Sequence, residues 1–225
     1  MITESCLKPD TLRFEDRKML LNATLKKLVD FHGHLCPDLI IGAKLSEYIQ
    51  QLVSETSGMN VSISILAQNC TSAIDAIQIL LGATFGNQRL QVMDFGKHVY
   101  SLVINDTGIS FMFSLKQQMY GDEDEFDNLE RKIMSGRITL EETVYFQKLM
   151  DGRIEKLFSM TTDKLFNCEE VEKGQLFYEA PSIYLTCSQC RHQVLKNRSV
   201  EYHDKIYCIS CFQEICDDCR HCNVQ

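Results

Sequence analysis

The chain has 225 residues, a mass of 25.9 kDa and a formal net charge of −8, with 44% hydrophobic and 24% charged residues. This length fits one large domain, or one domain with a small module, and the composition excludes a chain that is mainly disordered. The acidic balance argues against broad binding to nucleic acid and to an anionic membrane surface, because both require a basic face.

Periodicity predicts two helices at the start of the chain. Over residues 11–30, and again after Pro37, apolar residues recur every three or four positions, as in an amphipathic helix. Proline suits the first position of a helix, because its missing N–H would have no partner there. We therefore expect a second helix that begins at Pro37 and ends at Gly58.

The next predicted elements are a strand and a short helix. Residues 61–67 are rich in β-branched side chains, which favour a strand. Ser72 and Asp75 have the three-residue spacing of a capping box, and Gly82 is a natural C-terminal stop. These features predict a third helix that begins near Ser72 and ends at Leu81.

From residue 89 onwards the apolar period changes to two. Residues 89–95, 98–104 and 109–115 predict three strands, and the turn residues between them indicate an antiparallel meander. Residues 122–135 and 139–158 predict two more helices. This order of elements predicts an α+β fold in which helices pack on a mainly antiparallel sheet.

The cysteines are concentrated at the C-terminus, where seven of the eleven follow residue 186. This shift predicts a core domain over 1–180 and a small module over 181–225. The module contains two CxxC pairs separated by 17 residues, Cys187 with Cys190 and Cys208 with Cys211. Two such turns bring four thiolates to one ion, so the pairs predict a zinc ribbon in which Zn²⁺ is structural and a short hairpin lies between the pairs.

Three more cysteines follow the ribbon, at Cys216, Cys219 and Cys222. Their spacing is similar to part of an iron–sulfur run, but a fourth cysteine at the usual distance is absent. Three interpretations remain open: exposed thiols or opportunistic metal binding, a second zinc site completed by His221 or Cys168, and an iron–sulfur cluster.

A second group of metal-binding residue types is His32, His34 and Cys36. In an extended segment these three side chains point to one side, and Pro37 places Cys36 at a helix N-terminus, where the dipole favours a thiolate. Cys70 has the same placement before the third helix. We expect His34, Cys36 and Cys70 to build a partly exposed cavity site, either a transition-metal site or a redox pair, with His32 as a further candidate and packed structural residues as the alternative.

A resting disulfide between Cys36 and Cys70 is the rival to a metal site in the core domain. Such a bond requires close Cα atoms. The other histidines considered, His98, His192 and His203, have no partner at metal spacing, so we expect them to be structural.

Four motifs, in this order, resemble the FmdE-like family of formylmethanofuran dehydrogenase subunits: FHGHLCPDLIIGAKL, DAIQILLGATFGN, DFGKHV and the two CxxC pairs. The resemblance covers nearly the whole chain. It implies an α+β core followed by a zinc ribbon, an intertwined homodimer and a cavity near the Cys/His motif.

The resemblance also implies site residues. By position, they are His32, His34, Cys36 and Cys70, with Asp75 and Lys97 as further matched positions. The family has glycine where this chain has Asp38, which adds a carboxylate as a candidate ligand beside the site. Mixed nitrogen and sulfur ligands suit Zn²⁺ or another transition metal.

The function implied is a metal-binding accessory protein or subunit linked to molybdenum or tungsten oxidoreductases. Two alternatives remain open: an enzyme that uses Cys36 as nucleophile or redox thiol with a histidine as base, and an interaction subunit that docks through its ribbon. We expect a homodimer, an oxidoreductase complex as the further partner, and no nucleic acid. Residues 181–225 contain five basic and five acidic residues, which leaves little capacity to neutralise phosphate.

The expected location of the protein follows from two negative features of the sequence. It has no run of 18 apolar residues, and its N-terminus lacks the basic and apolar regions of a secretory signal. We therefore expect a cytoplasmic protein with no membrane partner. In a reducing cytoplasm, cysteines are expected to be metal ligands or reactive thiols rather than disulfides.

Overall fold

The chain divides into two compact units, Met1–Phe177 and Tyr178–Gln225. The computed structural model describes residues 14–57, 61–116, 122–172 and 183–218. Within these ranges, every helix is too short or too polar to cross a lipid bilayer.

Helices and strands of the first unit confirm the predicted α+β class. The helices are α1 (Phe14–His32), α2 (Pro37–Ser57), α3 (Ala73–Leu81), α4 (Glu123–Met134), α5 (Leu140–Ser159) and α6 (Thr162–Leu165). The strands are β1 (Ile63–Ala67), β2 (Leu90–Val92), β3 (Val99–Ile104), β4 (Ser110–Leu115) and β5 (Phe166–Val171). The short helix α6 and the strand β5 were not predicted, and the predicted helix end at Gly58 lies outside the described residues.

The five strands form one sheet in the order β2-β1-β3-β4-β5. The pairs β1–β3, β3–β4 and β4–β5 are antiparallel, whereas β2 lies parallel to β1. The predicted meander is therefore correct for β3 and β4 and wrong for β2. The physical reason is the connection: α3 lies between β1 and β2, and a crossover helix returns the chain in the same direction.

One face of this sheet supports the helices. Residues that alternate along each strand share this face, and register places Ile65 beside Leu102 and Leu102 beside Phe111. The α2 residues that pack there are Ile40, Ile41, Leu45 and Ile49, each no more than 4% exposed. Tyr48 completes the contact with an edge-on packing against Phe113, at a ring-centroid distance of 5.3 Å. These contacts anchor α2 and therefore the segment that precedes it.

The helices α2 and α3 meet at their backbones. A Cβ atom at Gly42 would lie 2.6 Å from Ala73 Cα, which is far below van der Waals distance. Only glycine permits this approach. The close contact fixes the first turn of α3 against α2.

The predicted capping box at the start of α3 is absent. Ser72 has helical dihedral angles, and its side chain makes no capping hydrogen bond. The hydroxyl of Thr71 accepts from the backbone N–H of Ala73 instead, at 3.3 Å. Thr71, and not Ser72, therefore supplies the side-chain acceptor at the start of α3, and the Asp75 carboxylate bonds another partner. The predicted stop is correct, because Gly82 adopts the left-handed C-cap conformation.

Two β-hairpins and a helix form the second unit. Strand β6 (Tyr184–Thr186) pairs with β7 (Gln193–Leu195), and after a 3₁₀ turn β8 (Ser199–Tyr202) pairs with β9 (Lys205–Cys208). The helix α7 (Ile209–Asp218) follows. The hairpin predicted between the CxxC pairs is β8–β9.

Candidate metal centres

The side chains of His32, His34 and Cys36 form one cluster. Their ligand atoms all lie within 4.8 Å of one another, and His32 Nε2 is 3.8 Å from Cys36 Sγ. Tetrahedral Zn–N and Zn–S bonds place nitrogen and sulfur about 3.6 Å apart. The geometry therefore fits a single ion bound by two imidazoles and one thiolate.

The spacing predicted that the three side chains meet along an extended segment. The chain instead turns sharply between His32 and His34. His32 is the last residue of α1, and Gly33 turns the chain with a φ of +100°. The Gly33 N–H donates to the Val29 carbonyl at 2.8 Å and so closes the helix. A left-handed glycine after a helix is the usual way to reverse direction, and here it folds His34 back beside His32. Their ring centroids are 4.8 Å apart.

Asp75 orients the ring of His32. Its Oδ2 atom is 2.7 Å from His32 Nδ1, and 32% of the Asp75 side chain and 14% of the His32 side chain are exposed. A carboxylate only accepts hydrogen bonds, so the proton lies on Nδ1 and the Nε2 lone pair faces Cys36. A carboxylate contact of this kind is characteristic of histidine ligands to metal ions.

Cys36 caps the N-terminus of α2. The N–H of Ile40 donates to the Cys36 carbonyl at 3.2 Å, and the Cys36 side chain is 8% exposed. The predicted position at the helix N-terminus is therefore correct. Negative charge on the sulfur would lie at the positive end of the helix dipole.

The remaining predicted site residues, including the predicted ligand Cys70, are not among the atoms of this cluster. Cys70 is exposed and outside the group of ligand atoms, and both Cys36 and Cys70 are free thiols. The Lys97 side chain is exposed, while its carbonyl accepts from Asn69 Nδ2 at 2.9 Å. Asp38 lies in the first turn of α2 with 42% of its side chain exposed.

His98 belongs to this neighbourhood, although its spacing in the sequence predicted only a structural role. Its Nε2 atom is 3.5 Å from Asp38 Oδ1, and its Nδ1 atom is 2.8 Å from the Tyr100 hydroxyl. Burial raises the pKa of Tyr100 well above its usual range, so the phenol is neutral. The signal that could have revealed His98 is its alternation with Tyr100 and Leu102, which places it on the helix-covered face of the sheet.

The second cluster is the set of four ribbon cysteines: Cys187, Cys190, Cys208 and Cys211. Their sulfur atoms all lie within 4.8 Å of one another, and Cys190 and Cys208 are 3.9 Å apart. Tetrahedral Zn–S bonds place sulfurs about 3.8 Å apart. The cluster can therefore hold one ion.

Local hydrogen bonds prepare some of these thiols for deprotonation. The Cys208 N–H donates to Cys187 Sγ at 3.4 Å, and this contact lowers the pKa of Cys187 to about 6. A hydrogen bond between Cys208 Sγ and the Ser210 hydroxyl lowers the pKa of Cys208. A hydrogen bond to Cys208 raises the pKa of Cys211, and repulsion by the Cys187 thiolate raises it further. A divalent cation relieves that repulsion.

Two of the cysteines considered for further sites lie in described elements. Cys168 lies on β5 of the first unit, where burial raises its pKa to about 11, which opposes a thiolate. Cys216 lies in α7. Cys219, His221 and Cys222 lie outside the described residues, so a second ribbon site stays a prediction.

An α+β core with a mixed His/Cys cluster, followed by a four-cysteine ribbon, defines a class of small proteins with two candidate metal centres. The model of one family, FmdE, described as "Molybdenum formylmethanofuran dehydrogenase operon", matches residues 31–167. The chain belongs to the FmdE family, and the resemblance found in its motifs is confirmed.

A related fold occurs in an FmdE-like protein of Syntrophus aciditrophicus, named for a tungsten formylmethanofuran dehydrogenase. The TM-score is 0.53 at 21% identity, with 86% of this chain and 92% of that chain covered. A curated relative from Archaeoglobus fulgidus, "Probable S-adenosyl-L-methionine-binding protein", is 33% identical over 89 residues. The match covers 37% of this chain and 24% of the relative, so the chain spans about a quarter of that protein's length.

Proposed function

We propose that this FmdE-family protein is a metal-binding accessory protein or subunit of a molybdenum or tungsten oxidoreductase. Its working metal, Zn²⁺ or another borderline transition metal, is held by His32, His34 and Cys36. The observation that supports the site is the cluster of three ligand atoms within 4.8 Å, with Asp75 behind His32. The link to an oxidoreductase rests on the family and on the names of its members.

The proposed site is open rather than closed. Three protein ligands leave one position of a tetrahedral ion for water or a ligand, which is typical of catalytic and sensing sites. His34 is exposed, which supports a site that solvent can reach. A bound ion there would supply Lewis acidity, while His32, His34 and Cys36 would hold it and Asp75 would orient the His32 ring. Asp38, Cys70 and Lys97 remain proposed contributors from the rim.

The ribbon has a separate role in this proposal. Zn²⁺ bound by its four cysteines is structural, because the ligand shell is complete without substrate. A module of this size has a small apolar core, centred on Cys187, Cys211 and Phe212, so metal binding supplies much of its folding free energy.

Metal content tests this assignment. The wild-type chain is expected to retain two metal equivalents after exhaustive dialysis. Cys36→Ser and Cys208→Ser are each expected to retain one, and the double variant none. Cys168→Ser is the matched control, because Cys168 lies on β5 outside both clusters of ligand atoms, and it is expected to retain both. Equal metal content in wild type and Cys36→Ser would contradict the proposed core site.

A second candidate function follows from the alignment of Cys36, His32 and Asp75. His32 Nε2 faces Cys36 Sγ at 3.8 Å, and Asp75 holds the opposite ring nitrogen at 2.7 Å. In enzymes with a cysteine nucleophile, the thiol, the histidine base and the group that orients the base follow one another in the same way. Mass spectrometry after iodoacetamide treatment of the metal-free protein tests it: alkylation of Cys36 before the exposed Cys70 supports a nucleophile. The reverse order, expected from the 8% exposure of Cys36, supports a ligand.

We propose two features of assembly: the chain forms a homodimer, and its ribbon docks onto a partner protein. The family resemblance supports the homodimer. The ribbon exposes Ile183, Tyr184 and Ile209, each at least 46% accessible, which supports a protein-facing surface.

A further inference from the structure

A chain of polar side chains joins the first turn of α2 to the start of α3. We call this set the polar chain: Asp38, His98, Tyr100, Asn69 and Thr71. Tyr100 is completely buried, and Asn69 is 1% exposed. Burying polar groups this deeply costs free energy unless they are hydrogen-bonded, so both side chains require hydrogen-bond partners.

The hydrogen bonds at His98 have one consistent direction. His98 Nε2 faces the Asp38 carboxylate at 3.5 Å, and a carboxylate only accepts, so the proton of His98 lies on Nε2. The Tyr100 hydroxyl therefore donates to His98 Nδ1 at 2.8 Å. The carbonyl of Lys97, the residue before His98, accepts from Asn69 Nδ2 at 2.9 Å.

The other end of the polar chain reaches α3. Asn69 Oδ1 accepts from the Thr71 hydroxyl at 2.9 Å, and the same hydroxyl accepts from the Ala73 N–H at 3.3 Å. Ala73 is the first residue of α3 and the residue that touches Gly42 of α2. Asp75 follows in the same turn of the helix.

The ends of the polar chain therefore lie next to the two halves of the cluster. Asp38 is two residues from Cys36, at the start of α2. Asp75, which orients His32, is two residues from Ala73 in α3. These contacts, each at 3.5 Å or less, together with the peptide bond between Lys97 and His98, thus join the helix that presents Cys36 to the helix that orients His32.

We propose that the polar chain sets the position of the α2 N-terminus relative to α3, and that His98 is its central positioning residue. The inference rests on the proposed function, because the geometry it maintains is that of the His32, His34 and Cys36 cluster. His98 touches no ligand atom in this role. It acts through Asp38 on one side and through Tyr100 on the other.

The polar chain requires a side chain at position 98 that offers one hydrogen-bond acceptor and one donor. Glutamine offers both without an ionisable proton, since its amide oxygen can accept from Tyr100 and its NH₂ group can donate to Asp38. Leucine has a similar extent but neither group. His98→Gln is therefore the conservative variant, and His98→Leu is the disruptive one.

Cobalt(II) binding to the full chain tests the proposal. The thiolate-to-cobalt absorption of the core cluster is obtained by subtracting the spectrum of Cys36→Ser, which retains the ribbon. We expect His98→Leu to bind cobalt at the cluster about tenfold more weakly than wild type, the loss typical of an outer contact. His98→Gln is expected to restore most of the affinity. Tyr48→Phe, which removes a half-buried hydroxyl from α2 outside the polar chain, is the matched control and is expected to bind as wild type.

A metal-free measurement completes the test. The His32 Nδ1 proton, held by Asp75, is expected as a downfield NMR signal in wild type and in His98→Gln, and to be lost in His98→Leu. If His98→Leu does not fold, Tyr100→Phe removes the same hydrogen bond at constant volume and is expected to give the same losses. Unchanged cobalt affinity and an unchanged His32 signal in a folded His98→Leu or Tyr100→Phe would overturn the proposal, as would equal losses in His98→Gln and His98→Leu.

The two proposals fail in different ways. If wild type does not bind cobalt beyond the ribbon, the proposed function is wrong, and the His32 signal in the variants still decides the role of His98. If wild type binds cobalt and His98→Leu binds it equally well, the proposed function stands and the positioning role is overturned.

Discussion

At the scale of single residues, the arrangement around His32 depends on partners that are distant in sequence. Asp75 lies 43 residues from His32, and a bond of 2.7 Å joins the carboxylate to the ring. The bond fixes the tautomer of the imidazole and so directs the remaining lone pair at Cys36. Removing the carboxylate leaves the ring free to rotate.

We therefore predict that Asp75→Ala weakens cobalt(II) or zinc binding at the core cluster by about 10–100-fold, the usual effect of losing an outer carboxylate. Asp75→Asn should fall between Ala and wild type, because the amide oxygen still accepts from Nδ1 without the charge. Competition with a chromophoric chelator measures the affinity.

Asp106→Asn is the control for that substitution. Asp106 accepts from the Ser62 N–H at 3.3 Å, in the turn that follows β3. Its replacement is expected to leave metal affinity unchanged. Wild-type affinity in Asp75→Ala would show that the contact with His32 has no part in metal binding.

At the scale of elements, the contact between α2 and α3 determines how the cluster is assembled. Gly42 allows the two backbones to touch at Ala73, two residues before Asp75. The α2 helix is in turn anchored on the sheet through buried aliphatic residues. Spacing between these helices therefore controls the distance from Asp75, on α3, to Cys36, at the start of α2.

We predict that Gly42→Ala destabilises the first unit by about 1–3 kcal/mol, because the added methyl forces the helices apart in a packed region. The same shift should weaken metal binding at the core cluster. Urea unfolding, monitored by circular dichroism, measures the free energy of unfolding.

Gly152→Ala is the matched control, since Gly152 is also inside a helix but a Cβ atom there meets nothing within 4 Å. Alanine at such a position should stabilise the helix by about 0.5–1 kcal/mol. Destabilisation of both variants to the same degree would point to a general effect of the substitution instead of the helix contact.

At the scale of the whole molecule, the chain has two compact units, each with its own candidate metal centre. The core of the first unit is large and apolar, whereas the described part of the ribbon has few buried residues besides its cysteines. Metal loss should therefore affect the two units differently.

We predict that Cys208→Ser removes one zinc equivalent and unfolds the ribbon while the first unit persists. The reason is that three remaining thiols bind the ion too weakly to replace the missing core. Hydrogen exchange resolved by mass spectrometry is the measurement, with loss of protection expected over residues 183–218 and retained protection over β1 and β3. Unchanged metal content in this variant would refute the four-cysteine assignment.

We also predict a homodimer at micromolar concentration, which equilibrium sedimentation would detect as about twice the 25.9 kDa chain mass. The family resemblance supports this prediction. Of the aromatic residues in the predicted meander, Tyr100 and Phe113 are completely buried within the first unit and Phe111 is 7% exposed, whereas Phe95 is 58% exposed. The single-chain mass would contradict the prediction.

The sequence by itself determined the features that depend on local order. Apolar periodicity predicted α2, Pro37 its start and Gly82 the end of α3, since helix boundaries are decided by nearby residues. The spacing of two CxxC pairs predicted a four-cysteine cluster, and the motif order predicted the family. Each of these signals lies within a few consecutive residues or in a fixed pattern of them.

Only the tertiary structure decided which distant residues meet. The parallel pairing of β2 follows from the crossover through α3, which a list of strands does not contain. Asp75 has capping-box spacing, yet its carboxylate bonds His32, because α3 lies against α1, whose last residue is His32. His98 had no partner at metal spacing, and Asp38 becomes its neighbour only when α2 packs on the sheet. The physical reason is that side-chain pairing across elements depends on packing and register, which no local pattern encodes.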